Sequence, residues 1–270
     1  MRIPKGGIAF FDSGIGGLTV LNECQKRLHG EIFYYYGDNR RAPYGNRPAK
    51  QVKKFVDRAV KKLLRLRIKA LVLACNTATA ICVEDLRKKY RFPIIGAEPA
   101  VLKAGNAAGE VFVLSTRATY KSSRFQELMK RAGEKFPFAR WTPKPCEQLA
   151  STIEKNVLNP NFNYEPFLPK GSPKAVVLGC THYIYIKEQI ARFYGCDVFD
   201  GNEGIAARLE SLLEKKTEKG RDEQPLVTPP ATTSLITPKN SKNKGRVFFL
   251  GSKKNHNSRI FEQMFVKCRK

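Results

Sequence analysis

Two cysteines stand in nearly copied surroundings. Ala70-Leu71-Val72-Leu73-Ala74-Cys75-Asn76-Thr77 and Ala175-Val176-Val177-Leu178-Gly179-Cys180-Thr181-His182 each run an apolar stretch into a thiol and then into small polar residues, 105 residues apart. A thiol just past a strand and at the start of a helix meets free backbone N–H groups and the positive end of the helix dipole, and both favour the thiolate. Lowered pKa values are therefore expected at Cys75 and Cys180. Two thiols facing one carbon from opposite sides could take a proton from one face and return one to the other, across a planar intermediate. A single nucleophilic cysteine with a histidine would suit acyl transfer, but it leaves the second copy unexplained.

Other polar residues fall at the ends of apolar runs. Asp12 and Ser13 follow Ile8-Ala9-Phe10-Phe11, and glycines at 14, 16 and 17 come next. The spacing GxGG is not the GxGxxG dinucleotide fingerprint, and no GK[ST] completes a Walker loop. A tight turn that brings backbone N–H groups close to a small anion such as a carboxylate is the better reading, with a plain packing turn as the alternative. Gly37-Asp38-Asn39-Arg40-Arg41-Ala42-Pro43-Tyr44-Gly45 forms a second polar loop, placed to close over the same crevice. In open parallel sheets ligands sit beyond the carboxyl ends of the strands. Asp12, Ser13, Cys75, Asn76, Thr77, Cys180, Thr181 and His182 all lie at such ends.

Positioning these residues requires an α/β fold. Short runs rich in branched and aromatic residues alternate with helical patterns, as in proteins built on parallel strands. Strands are expected at 8–11, 32–36, 70–74, 93–95, 111–114, 175–178, 197–199 and 246–250. Helices are expected at 18–28, 51–66, 78–90, 121–132, 148–157, 185–193, 203–216 and 258–266. Ile8–Ser13 and Val111–Thr116 repeat at an offset of 103, close to that of the cysteines. The chain thus reads as two similar parallel-sheet α/β domains related by a pseudo-two-fold axis, with the active site in the cleft between them. Residues 1–98 plus 207–270 form the first domain, carrying Asp12 and Cys75. Residues 99–206 form the second, carrying Glu154, Cys180 and His182. Residues 215–244 contain TPPATTSLITPKNSKNK, lack periodicity and read as a mobile surface loop.

Composition excludes several classes. With 270 residues and 42% hydrophobic side chains the chain can bury a sizeable core. Its first residues show no secretory pattern and no segment reaches the roughly 20 apolar residues of a membrane span, so a cytoplasmic protein without a membrane partner is expected. The seven cysteines are odd in number and show no CxxC pair, and with three histidines a metal site finds no clustered ligands. Cys24, Cys82, Cys146, Cys196 and Cys268 read as small core residues. The net charge of +25 is spread along the chain: +9 after residue 210 and +16 before it. Val52 to Arg67 is an amphipathic pattern with a solvated basic side and no aromatic stacking residues, so nucleic acid is not expected as a partner. Attraction of an anionic small molecule toward the crevice suits that charge better.

Phe11-Asp12-Ser13-Gly14-x-Gly16-Gly17-Leu18-Thr19-Val20, Gly37-Asp38 through Pro43-Tyr44-Gly45, Ala74 to Ala80, Gly96-Ala97-Glu98-Pro99 and Leu178 to Tyr183 together resemble the glutamate racemase family. The resemblance runs from residue 8 to about 205, with a weaker match in the last strand and helix. It implies a homodimer that uses no pyridoxal or other cofactor and interconverts L- and D-glutamate, supplying D-glutamate for peptidoglycan. It further implies that Cys75 and Cys180 exchange the proton, and that Asp12 and His182 assist the thiols. A glutamate eight residues after a cysteine helps at the second thiol in the family; Cys146 followed by Glu154 matches that spacing. Ser13, Tyr44, Gly45, Asn76, Thr77, Thr119 and Thr181, with Asp12 and His182, are implied to bind the substrate.

The chain departs from the family pattern at Asn39, Arg41 and Ala42, at Ile184 where a proline is usual, and in the segment CEQLASTIE, which lacks two prolines. These departures bear on substrate preference. A racemase for aspartate or another amino acid, or an inactive polyanion-binding relative, are the alternatives.

Overall fold

The computed structural model describes residues 6–218, 234–236 and 245–266. Ile8 to Asp12 form β1, which is buried at every residue because it lies in the middle of a parallel sheet. Ile8 and Phe10 enter the core on one face, while Ala9 and Phe11 enter the core on the other. This double burial explains a near-continuous apolar run with no polar alternation. Each of the two phenylalanines contributes roughly 1.5–3 kcal/mol by leaving water.

The remaining strands are β2 (Ile32–Gly37), β3 (Ala70–Leu73), β4 (Ile94–Gly96), β5 (Gly109–Ser115), β6 (Ala139–Pro145), β7 (Ala175–Gly179), β8 (Asp197–Phe199), β9 (Ser234–Ile236) and β10 (Arg246–Gly251). The helices are α1 (Gly17–Arg27), α2 (Ala49–Leu64), α3 (Asn76–Lys89), α4 (Val101–Ala104), α5 (Arg117–Tyr120), α6 (Ser123–Lys135), α7 (Leu149–Asn156), α8 (Lys187–Tyr194), α9 (Asn202–Glu218) and α10 (Lys254–Phe261).

Two sheets form, in the orders β4-β3-β1-β2-β10-β9 and β8-β7-β5-β6. Setting β5 to β8 against β1 to β4 gives one order twice, so the duplicated cysteine segments reflect a duplicated topology. Among the described residues all pairings are parallel except β9 on β10. The return of the chain to the first sheet is seen in β10, which pairs with β2, and in Ile205, Ala206 and Leu209 of α9, which pack with α1.

Two strands differ from the sequence expectation. Ala139–Pro145 escapes notice because Pro143 and Pro145 argue against a strand; among the described residues it pairs only with β5, and an edge position tolerates missing N–H groups. Ser234–Ile236 lies in the segment expected to be a loop, yet its backbone pairs antiparallel with β10. The rest of 219–244, and Cys268, fall outside the described residues.

Helix α2 buries Val52, Val56, Ala59, Val60 and Leu63 and leaves Lys53, Lys54, Arg58, Lys61 and Lys62 exposed. Lys53 pairs with Asp85, and Lys61 with Asp57. This is the solvated basic face the pattern predicts. Among the described residues no helix is long and apolar enough to cross a membrane. No group of three or more metal-ligating side chains occurs among them either.

Candidate active site

Register brings the chemical groups to one edge of each sheet. Asp12 pairs with Gly37 at the end of β1, and β3 ends beside it, two residues before Cys75. In the second sheet Gly179 pairs with Ser115, so Cys180 and Thr116 leave their strands side by side. Cys75 precedes α3 and Cys180 precedes a 3-10 turn spanning Thr181–Ile186; they are 6% and 7% exposed.

The two thiols have different neighbours. The Cys75 thiol donates to Oγ of Ser13 at 3.6 Å. Burial, reinforced by the charge of Asp12, pushes this thiol up to about 12, against the pull of the Ala78 N–H and the Ser13 hydroxyl. The expectation of a lowered value at Cys75 is thus overturned: the helix start is present, but desolvation outweighs it. Cys180 lies 3.8 Å from Nδ1 of His182, whose Nε2 is 2.6 Å from Oε2 of Glu154. Burial alone would pull His182 down, but its contacts with Cys180 and Glu154 carry it well above 6.5. Burial would raise Glu154, yet the hydrogen bond and charge of His182, with the Ile15 N–H and the Asn39 amide, hold it below the ordinary carboxylate value. The pair is therefore ionised on both sides at neutral pH.

The glycine turn serves close approach. A Cβ at Gly14 would lie 2.3 Å from Oε2 of Glu154, and one at Gly16 would lie 2.4 Å from the Thr181 hydroxyl. Only hydrogen lets the two sheets meet there. The turn is held by Tyr35, whose hydroxyl donates to the Gly14 carbonyl at 2.7 Å, and by Tyr185, which donates to the Ile15 carbonyl at 2.9 Å. Asp12 accepts from the Gly14 N–H at 2.8 Å and from the Thr181 hydroxyl at 3.2 Å. Burial raises its pKa, with His182, the Gly14 N–H and Thr181 pulling the other way and Glu154 adding to the rise.

A cluster of hydroxyls completes the edge. Thr77 lies 2.9 Å from Thr116 and 3.1 Å from Thr119, so the helix carrying Cys75 meets the loop after β5. Tyr44 is buried and donates to Asp38 at 2.6 Å, while Gly45 approaches Thr116 so closely that a Cβ would lie 2.6 Å from its Cβ. Asn76 is buried in the first turn of α3. These contacts bring Asp12, Ser13, Tyr44, Gly45, Cys75, Thr77, Thr119, Glu154, Cys180, Thr181 and His182 together where the two sheets meet, and Asn76 follows Cys75 at the start of α3. Cys24, Cys82 and Cys146 are buried in the cores, as their types suggest, whereas Cys196 is only half-buried at the margin of its core. Asn39 and Asn257 belong to the same network but were not proposed; Asn257 sits on α10, far along the chain, and no local pattern marks it.

Residues 19–209 match the family described as Asp/Glu/hydantoin racemase. A glutamate racemase of Clostridium kluyveri is 42% identical over 220 residues, covering 77% of this chain and 84% of that protein. Among solved structures, glutamate racemase from Thermus thermophilus in complex with beta-chloro-D-alanine superposes with a TM-score of 0.69 at 29% identity, covering 97% of this chain and 93% of the other. Glutamate racemase from Francisella tularensis in complex with D-glutamate gives 0.68 at 28% identity, with 96% and 94% covered. With its doubled parallel sheets and a match over most of its length, this chain belongs to the Asp/Glu/hydantoin racemase family and is an isomerase of the amino-acid racemase type.

Proposed function

We propose that the chain interconverts L- and D-glutamate without a cofactor, by moving the Cα proton between two thiols. The observation that carries this reading is the placement of Cys75 and Cys180 at equivalent strand ends of a duplicated fold, where the two sheets meet. One cysteine takes the proton from Cα as thiolate, the resulting carbanion flattens, and the other thiol gives its proton to the opposite face. Charge and protons balance, since one thiol is consumed and one formed, and the reverse reaction exchanges the roles. The relatives named glutamate racemase, one of them solved with D-glutamate bound, support glutamate as the substrate.

The surroundings of the two thiols support distinct roles for them. Around Cys75, Ser13 and Asp12 act on a thiol that burial pushes up, and the ammonium group of the amino acid would supply a positive charge that favours its thiolate. Around Cys180, the ionised His182–Glu154 pair is placed to donate to a thiolate. Ser13, Tyr44, Gly45, Asn76, Thr77, Thr119 and Thr181 supply hydroxyl, amide and backbone donors for the two carboxylates. The division into residues 1–98 plus 207–270 and residues 99–206 puts one thiol in each unit. A homodimer in the cytoplasm that feeds D-glutamate into peptidoglycan completes the proposal.

Purified protein with L-glutamate should lose its circular dichroism signal and take up deuterium at Cα in heavy water. Absence of both at high enzyme concentration, or turnover confined to aspartate, sinks the assignment. Light scattering at working concentration tests the dimer.

A further inference from the structure

Glu154 is held by donors from three directions. Nε2 of His182 lies 2.6 Å from Oε2, the Ile15 N–H reaches the same oxygen at 3.1 Å, and the Asn39 amide donates to Oε1 at 2.8 Å. Behind Asn39, the Asn257 amide donates to Oδ1 of Asn39 at 2.9 Å. The direction of this chain is fixed by chemistry. An ionised carboxylate only accepts, so Asn39 must turn its NH2 to Glu154, and its carbonyl oxygen then requires the NH2 of Asn257. Asn257 is 0% exposed and Asn39 is 7% exposed.

Two features show that this arrangement is built rather than incidental. A Cβ at Gly37 would lie 2.2 Å from Nδ2 of Asn257 and 2.7 Å from Oδ1 of Asn39, so the strand end is bare where the two amides cross it. The orientation that serves Glu154 also leaves Oδ1 of Asn257 buried without a hydrogen-bond partner among the described residues, a cost that the amide chain must offset.

We propose that Asn39 and Asn257 form a polar strut from helix α10 to Glu154 that keeps this carboxylate seated against His182. Both are positioning residues that act through Glu154. The proposal rests on the reading that Glu154, His182 and Cys180 work together. It also brings α10, which belongs to the first sheet, into the chemistry of the second thiol. Other groups within the field of Glu154 are Asp12 after β1, Tyr35 on β2, Tyr185 beside α8 and His256 on α10. None of them bonds the oxygen that Asn39 serves.

Taking away the Asn39 amide leaves Glu154 two donors, so its protonation should move up by about one pH unit, a tenfold change in equilibrium. With three histidines in the chain, His182 can be followed by NMR on histidine-labelled protein, where protonation of Glu154 appears as an acid-side step in its ring signals. In Asn39→Ala the step should rise by about one unit, and in Asn257→Ala by less, in the same direction. The acid limb of kcat/KM for racemization should rise equally. In a Glu154→Ala background, removing Asn39 should cost less than about twofold more. An unmoved step in both variants, or an equal loss with and without Glu154, would overturn the strut. The NMR arm needs no turnover, so a shifted step in a protein that fails to racemize glutamate would reject the proposed substrate and sustain the strut.

Discussion

Replacing Gly14 by alanine puts a methyl group where Glu154 lies. The new Cβ would sit 2.3 Å from Oε2 and 2.8 Å from Oε1 and Cδ. Gly14 is not among the glycines with positive φ, so the backbone itself accepts alanine and the nearest clash is with Glu154. Carbon and oxygen settle at roughly 3.3–3.5 Å, so the carboxylate must retreat by about 1 Å. Its 2.6 Å contact with His182 then stretches beyond hydrogen-bonding reach. A charge-assisted hydrogen bond contributes about 1.5–3 kcal/mol, which corresponds to a fall of about 10- to 150-fold in kcat/KM. Initial rates of racemization by circular dichroism would measure it, with a thermal melt to confirm that the variant is folded. In a Glu154→Ala background the same substitution should be nearly silent, because the space has been vacated. A Gly14→Ala enzyme within about threefold of wild type, or one equally damaged with Glu154 absent, would refute the argument.

Cys75→Ser and Cys180→Ser should each lower turnover by about 10²- to 10⁴-fold, since a positioned acid–base group contributes that much; near-normal rates in either would exclude a two-thiol mechanism. Alkylation of Cys75 by iodoacetamide, followed by mass spectrometry of its peptide, should accelerate about tenfold per pH unit between pH 7 and 10, because the thiol is pushed up to about 12; a plateau near pH 8 would contradict this. Asp12→Asn should abolish activity yet raise the melting temperature at pH 7. The folded state binds the Asp12 proton more tightly than the unfolded chain, so wild-type stability falls as pH rises from 3.8 through the raised folded value, and asparagine escapes that loss. Calorimetry should find the gap closing below about pH 4; a gap independent of pH would contradict the assignment.

Much of this was legible because duplication doubles a weak signal. One strand running into a cysteine means little, but two at nearly the offset of the strands before them mark both thiols and the topology that carries them. The glycine turn was legible as close approach, though not what approaches: the carboxylate of Glu154 comes from a segment 140 residues further along. Strand β6 was hidden by its prolines, which only an edge position excuses. The acidity of Cys75 was misread because a helix start can be seen in sequence whereas desolvation cannot. Asn39 looked like a departure from pattern, and Asn257 like any asparagine in a basic helix. Their partnership exists only after β10 and α10 return to β2.

The two thiols are unequally furnished, one beside a neutral hydroxyl and the other beside an ion pair. Mirror-image amino acids have identical free energies in water, so a racemase meets an equilibrium constant of unity and the same kcat/KM in both directions. Lopsided surroundings cannot favour either product. They can only trade affinity against speed, so that the enantiomer held more loosely is converted proportionately faster.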